Sequence, residues 1–355
     1  MNAPVGPASA LPTSAPLTKR VPVAELQNLV AQQLRRAGAN EAMAASTARA
    51  LVLAESQGQG GHGLSRVAQY STHLKNGRVV GAATPTVLQR NGATLVVDAG
   101  EGLAFPACDL AIQEALAAAQ KHGVAVVGVV RSHHCGVLVD HLRAVAAAGM
   151  VGLGFANSPA AMPAAGGKHP IFGTNPVAAV FPRAAHDPLL IDLSLSEVAR
   201  GKLMVAAKEG RSIPLGWALD AQGQPTTDPK AGMAGSMLPV GAATSTKGAM
   251  LALVVELLVT AVIGAQFGFE ASSFFVDEGN RPGSGPAFIV IDPGALAGRA
   301  SFLARVEVLV AEMLSDDTVR LPGARREALR RAALQDGVPV PATLLAAWQE
   351  SVQAG

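Results

Sequence analysis

The nine residues GQGGHGLSR, 58–66, hold the groups best suited to chemistry. Gly58, Gly60, Gly61 and Gly63 surround His62, and Arg66 follows four residues later. Imidazole takes or gives a proton near neutral pH. A guanidinium clamps a carboxylate through two parallel hydrogen bonds. If a helix begins near Gly63, one turn brings Arg66 close to His62. A proton donor beside a carboxylate clamp is what reduction of a 2-oxo acid needs: hydride adds to C2 and the oxygen receives the proton. On spacing alone, a loop histidine followed by a surface arginine is the competing reading.

Gly58, Gly60 and Gly63 also spell G-x-G-x-x-G. That fingerprint needs a buried strand before it, a helix after it and an acid about 20 residues on. Here STARALVLAESQ precedes it and reads as helix, and residues 78–96 contain neither Asp nor Glu. The glycines are better explained as letting the backbone bend closely around His62.

Other groups have weaker chemical cases. His133, His134, Cys135 and His141 suggest a metal, but adjacent histidines point apart and zinc needs three or four converging ligands; the expectation is no metal. One of the pair His133/His134 is expected to face the site and the other the core or a partner subunit. Cys135 as a nucleophile lacks an activating base other than these histidines. Cys108 sits in an apolar helix and reads as core. His186 and Asp187 read as a solvent turn, and Trp217 either shapes a pocket or packs in the core.

The chain that must position these groups has 355 residues, about half of them apolar, and a formal charge of +2. No concentrated basic stripe and a single tyrosine argue against nucleic acid as partner. Two distant cysteines and no C-x-x-C suit a reducing cytoplasm. Residues 1–18 read as a disordered tail rather than a signal peptide. The apolar stretch 249–268 carries Glu256 in its middle, so a helix buried in the core or a dimer interface is expected, not a membrane span.

Periodicity predicts helices over VAELQNLVAQQLRRAGA, over EAMAASTARALVLAESQ with Asn40 as cap, and over SRVAQYSTHLKNG. Strands and helices then alternate: TLVVDAG, PACDLAIQEALAAAQKHG, VAVVGVV, LVDHLRAVAAAG, MVGLGFAN, VAAVFP, PLLIDLS, and a helix from Ser196, SEVARGKLMVAAKEG. AFIVIDPGA is a last strand before a helical C-terminus. The class is α/β. The expected division is a helical N-terminal and substrate region, 19–125, a nucleotide-binding domain, 126–290, and C-terminal helices, 291–355, returning to the first.

GHGLSR, SHHCG, FGTNP, IDLSLSEVARGK and RLPGARR occur in this order. Together they resemble the type-2 malate/L-lactate dehydrogenase family, which also holds sulfolactate, ureidoglycolate and diketogulonate dehydrogenases and cyclic imino acid reductases. The resemblance spans residues ~20 to ~330 and rests on the order of five motifs, each weak alone. It implies a non-Rossmann NAD(P)-binding fold with a central mixed sheet, a homodimer, and NAD or NADP as hydride carrier. It implies His62 as proton donor or acceptor and Arg66 on the substrate carboxylate. It assigns the cofactor to His134, Cys135, Gly136, Val137 and Leu138; to Thr174; to Asp192, Leu193 and Ser194; to Arg200 and Gly201; to Lys247 and Gly248; and to Arg320, Leu321, Pro322, Gly323, Ala324, Arg325 and Arg326. The cationic cluster Arg320, Arg325 and Arg326 suits a 2′-phosphate and leans the expectation to NADP, with a solvated helix start as the equal alternative.

Two positions depart from the imino acid reductases. Those enzymes usually place a Ser before the histidine and an Asp after the Arg-Gly, completing a relay; here stand Gly61 and Lys202. The change of sign at Lys202 favours a substrate with a second anion, such as malate or sulfolactate, over a cyclic imine. The expected function is interconversion of a 2-oxo acid and a 2-hydroxy acid. Reduction of a cyclic imino acid and a non-catalytic nucleotide-binding dimer are the alternatives.

Overall fold

The computed structural model describes residues 17–353. The expected tail lies outside these except at its end, where Thr18 already pairs with Pro341. Strand β1 (Thr18–Val21) leads into α1 (Val23–Arg36) and α2 (Glu41–Ser56). The Asn40 side chain accepts from Met43 N and caps α2 as expected. A 3-10 turn (Gly60–His62) links α2 to α3 (Arg66–Lys75). The hairpin β2 (Thr86–Asn91) and β3 (Thr94–Asp98) is followed by α4 (Ala104–His122) and β4 (Val124–Val130). The expected helix 138–149 is two short pieces, α5 (Leu138–His141) and α6 (Arg143–Ala147).

Next come β5 (Val151–Ala156), β6 (Met162–Pro163), β7 (Pro170–Phe172), β8 (Val177–Phe181) and β9 (Leu189–Leu193). After α7 (Arg200–Glu209) lie β10 (Ala218–Leu219), α8 (Pro229–Ala234), β11 (Ser236–Met237) and α9 (Lys247–Leu257). The chain closes with β12 (Pro286–Ile291), α10 (Arg299–Met313), α11 (Ala324–Asp336), β13 (Val338–Pro341) and α12 (Ala342–Gln353).

Seven strands form one sheet in the order β2-β3-β4-β12-β5-β8-β9. Only β3 and β4 run parallel; every other neighbouring pair is antiparallel. A doubly wound nucleotide fold needs a parallel sheet, so this mixed sheet is a different architecture, in line with the rejected glycine fingerprint. The all-apolar run of β4 fits its central place: α4 covers one face of it, and a Cβ added at Gly128 would strike Ile263 at 2.1 Å on the other. A second core lies among α1, α2, α3 and α12, with Leu26, Leu34, Leu51 and Tyr70 fully buried.

Two expected elements differ. Ser196 does not cap α7, which begins at Arg200 with Ala199 before it. Ser196 is buried in a bridge to Pro239, and its hydroxyl bonds Val198 O and Ser194 Oγ instead. The apolar helix expected over 249–268 ends at Leu257 and runs on only as a π turn to Val262. Thr260 Oγ1 bonds back to Glu256 O, and Gly264 at φ +105° stops it. Nor is it wholly buried in the chain: Met250, Leu251, Val254 and Leu257 are exposed while Glu256 faces inward. There the carboxylate accepts from Asn175 Nδ2 at 2.8 Å and Gly268 N at 2.7 Å. Burial outweighs these bonds and raises its pKa. Among the described residues, no helix is long and apolar enough to cross a membrane.

Candidate active site

His62 closes the 3-10 turn, and Arg66 opens α3 one turn later. The turn is tight because Gly63 packs on α2: a Cβ there would fall 2.2 Å from Glu55 Oε2, the carboxylate that accepts from Leu64 N. Arg66 Nε donates to Gly61 O at 2.7 Å and Nη1 to Gln69 Oε1 at 2.8 Å, which fixes the guanidinium against the glycine loop. The expected neighbourhood of His62 and Arg66 is therefore present.

The two adjacent histidines divide as expected. His133 turns into the core, with Nε2 2.9 Å from His73 Nδ1. His134 stacks on His62, ring centroids 5.4 Å apart and planes inclined by 23°. Tyr70, one turn beyond Arg66 on α3, reaches His134 Nδ1 with its hydroxyl at 2.7 Å. The phenol is fully buried, and this nitrogen is its only partner among the described residues. Burial holds the pKa of His134 well below the usual value, so its ring is neutral and the contact with Tyr70 fixes its orientation.

Burial, then the charges of Arg66 and Arg326, push the pKa of His62 down to about 4. Lys202 is not among the charges acting on it. That side chain is exposed on α7, with Nζ 6.0 Å from the Trp217 ring. The lysine thus does not act on the imidazole as a relay partner would. Burial pushes the Cys135 thiol up to about 12, so it stays protonated and is no nucleophile at neutral pH. Among the described residues, no group of three potential metal ligands is found.

The expected cofactor residues fall into groups. His134 to Leu138 enter α5 through Gly136, whose φ of +71° suits glycine. Beside them, Asp192 of β9 pairs with Arg326 Nη1 at 3.2 Å, and Leu190 N donates to Pro322 O. Gly323, at φ +87°, packs on Leu190. Leu321 and Ala324 flank this contact, and Leu193 ends β9 half-exposed. Thr174 joins through its carbonyl, which accepts from Leu195 N at 2.9 Å and Ser194 Oγ at 3.4 Å. Arg320 and Arg325 are exposed and, among the described residues, form no ion pair. Gly248 packs tightly on Val240, while Lys247 is exposed at the start of α9. Arg200, followed by exposed Gly201, meets the Phe275 ring that also meets Arg66. The Asp192 carboxylate, the amides around Gly136 and the open Arg320 and Arg325 supply the acceptors and donors that a ribose and phosphates need, so the residues present fit a dinucleotide.

One part of the site has no signal among the expected residues: the loop 271–281. Phe274 packs on His133 and His134, each at 5.1 Å. The Phe275 ring lies 4.9 Å from the Arg66 guanidinium and 5.2 Å from that of Arg200. Buried Arg78 holds the loop through the carbonyls of Ser272, Ser273, Val276 and Asn280, and His73 Nε2 meets Val276 O at 2.9 Å. Two consecutive phenylalanines in the otherwise polar stretch SSFFVDEGN were the available clue.

Comparison with known proteins agrees with this geometry. The family model described as malate/L-lactate dehydrogenase matches residues 21–349. A (2R)-3-sulfolactate dehydrogenase (NADP(+)) of Chromohalobacter salexigens is 45% identical over 315 residues, 89% of this chain and 93% of that protein. A Delta(1)-pyrroline-2-carboxylate/Delta(1)-piperideine-2-carboxylate reductase of Pseudomonas putida is 38% identical, covering 92% of this chain and 96% of that one. The crystal structure of delta1-piperideine-2-carboxylate reductase from Pseudomonas syringae pvar. tomato superposes with a TM-score of 0.88 at 33% identity, covering 94% of this chain and 99% of that one.

Proposed function

Because the chain belongs to the malate/L-lactate dehydrogenase family, we propose that it interconverts a 2-oxo acid and a 2-hydroxy acid with NADP or NAD, NADP being favoured, and that its substrate carries a second anion, as sulfolactate does. The observation that carries this reading is the imidazole of His62 stacked on His134, with the Arg66 guanidinium bonded to the carbonyl of the preceding residue, Gly61. The greater identity to a sulfolactate dehydrogenase than to a cyclic imine reductase supports the choice of substrate. Gly61 supports it as well, since it offers no hydroxyl to a relay.

In this reading Arg66 binds the carboxylate at C1 and fixes C2 beside His62. The bound dinucleotide supplies or accepts the hydride. His62, neutral before substrate arrives, takes the proton of the C2 hydroxyl during oxidation and returns it to the oxygen during reduction. An anion bound at Arg66 offsets one of the two cations that depress the imidazole, which makes protonation easier once substrate is present. His134 stacks on the imidazole and orients it. Asp192, Ser194, Arg320 and Arg325 hold the dinucleotide.

We propose a homodimer with the outward apolar face of α9 in the interface, and the cytoplasm as its setting; the two free, buried cysteines suit a reducing compartment. The test is consumption of NADPH and NADH with pyruvate, oxaloacetate, sulfopyruvate and piperideine-2-carboxylate, repeated with His62→Ala. Fastest turnover of sulfopyruvate or oxaloacetate, lost in the variant, is expected. Preference for the cyclic imine would replace the proposed substrate class, and no turnover despite tight NADPH binding would leave a nucleotide-binding dimer.

A further inference from the structure

Arg200 is half-buried at the start of α7. Among the described residues, no carboxylate lies within ion-pair distance of it and no acceptor takes its guanidinium protons. Its partner is instead the Phe275 ring, the same ring that lies over Arg66. Two guanidiniums without counter-charge thus face one aromatic side chain beside His62. Burial lowers the pKa of both, the mark of cations held out of water without an anion to offset them.

A separate cavity of about 120 Å³ opens against Arg200. Ser273 lines it from the aromatic loop, and Ala160, Ala161, Leu203, Met233 and Met237 supply apolar walls. The Ser273 Oγ accepts from Phe275 N at 3.2 Å, which leaves its proton for a ligand. The space takes a compact anionic head and is too small for a nucleotide. An arginine, a hydroxyl proton and a small chamber are the recognition elements of a sulfonate or carboxylate.

We infer that Arg200 and the cavity beside it bind the distal anion of a dianionic 2-oxo or 2-hydroxy acid whose C1 carboxylate is held by Arg66. This rests on the reaction proposed above and names its specificity determinant. It moves Arg200 from the cofactor role that its motif implies to the substrate, and replaces Lys202 as the source of the second positive charge. Phe275 is the spacer that sets the gap between the two anion sites and covers the carbon skeleton spanning them.

The test compares Arg200→Gln with the wild-type protein. The ratio of kcat/KM for sulfopyruvate to that for pyruvate should fall about 100-fold, the scale of losing a charge-assisted bidentate contact, through a higher KM for sulfopyruvate. NADPH affinity, read by the fluorescence of the bound cofactor, should stay within threefold. Arg200→Lys should restore part of the ratio, because charge survives without the fork. A weakened NADPH affinity with an unchanged ratio would return Arg200 to the cofactor and overturn the inference. Calorimetric titration of the protein with NADP+ and either sulfolactate or lactate separates the inference from the reaction. If the enzyme reduces no 2-oxo acid but binds sulfolactate more tightly than lactate, and Arg200→Gln erases that difference, the reaction fails and the anion site stands. Equal affinity for the two acids in the wild-type protein would sink the anion site.

Discussion

The low pKa of His62 makes a prediction opposite to that for an ordinary histidine. Burial and the cations Arg66 and Arg326 bring it from 6.5 to about 4. That is about 3 kcal/mol of preference for the neutral ring, and on the order of one molecule in a thousand is protonated at pH 7. The sign decides which direction of reaction is ready. Oxidation needs the neutral base, which is already present from neutral pH down to the depressed pKa. With saturating NADP+, kcat/KM for the 2-hydroxy acid should therefore stay level as pH falls through 6.5, and lose half its value only near pH 4 to 5. Arg326→Gln removes one of the two cations and frees the Asp192 carboxylate that it pairs with. Both changes favour imidazolium, so the acid limb should move upward in pH. The assay is NADPH formation followed by absorbance across pH 4–9, with stability controls at each end. A wild-type midpoint near 6.5, or an Arg326→Gln profile superimposable on it, would refute the electrostatic account of the site.

Three further outcomes follow from particular contacts. Tyr70→Phe removes the hydroxyl that orients the His134 ring at 2.7 Å in a fully buried place; it should cost about 1–3 kcal/mol in urea unfolding and lower kcat more than it raises KM. Gly323→Ala places a Cβ 2.7 Å from Leu190 Cβ at φ +87°; a loss of about 1–3 kcal/mol and weaker NADPH binding by fluorescence are expected. Glu256→Ala leaves Gly268 N without its buried acceptor and takes one of the two acceptors of Asn175 Nδ2, Ala252 O remaining; thermal unfolding should show a loss of about 3 kcal/mol, with NADPH affinity changed far less.

The sequence was most legible where local chemistry and local structure coincide. The apolar run 124–130 announces a central strand, Asn40 announces a helix start, and the helix before the glycines with no acid after them marks their fingerprint match as accidental. His62 and Arg66 lie one helical turn apart, so their association was legible from spacing. Pairings across long separations were not. Thr18–Val21 meets Val338–Pro341 across the whole chain, and neither four-residue strand has a periodicity of its own. The aromatic loop escaped for the same reason: Phe275 meets Arg66 and Arg200 only through tertiary placement. The directions of Arg200 and Lys202 were not legible either, because sign alone says nothing of direction. On α7 the lysine is exposed by Trp217, while Arg200, two residues earlier, meets the Phe275 ring that also meets Arg66.

The strap formed by Arg78 has a mechanical consequence. Helix α3 starts at Arg66 and ends at Lys75, just before the arginine that grips four carbonyls of the aromatic loop. The aromatic loop is therefore tied to α3 at both ends, by Arg78 just past its last residue and by the Phe275 ring against Arg66 at its first. Any displacement of α3 relative to the sheet would carry guanidinium and ring together, and the gap between them would keep its width.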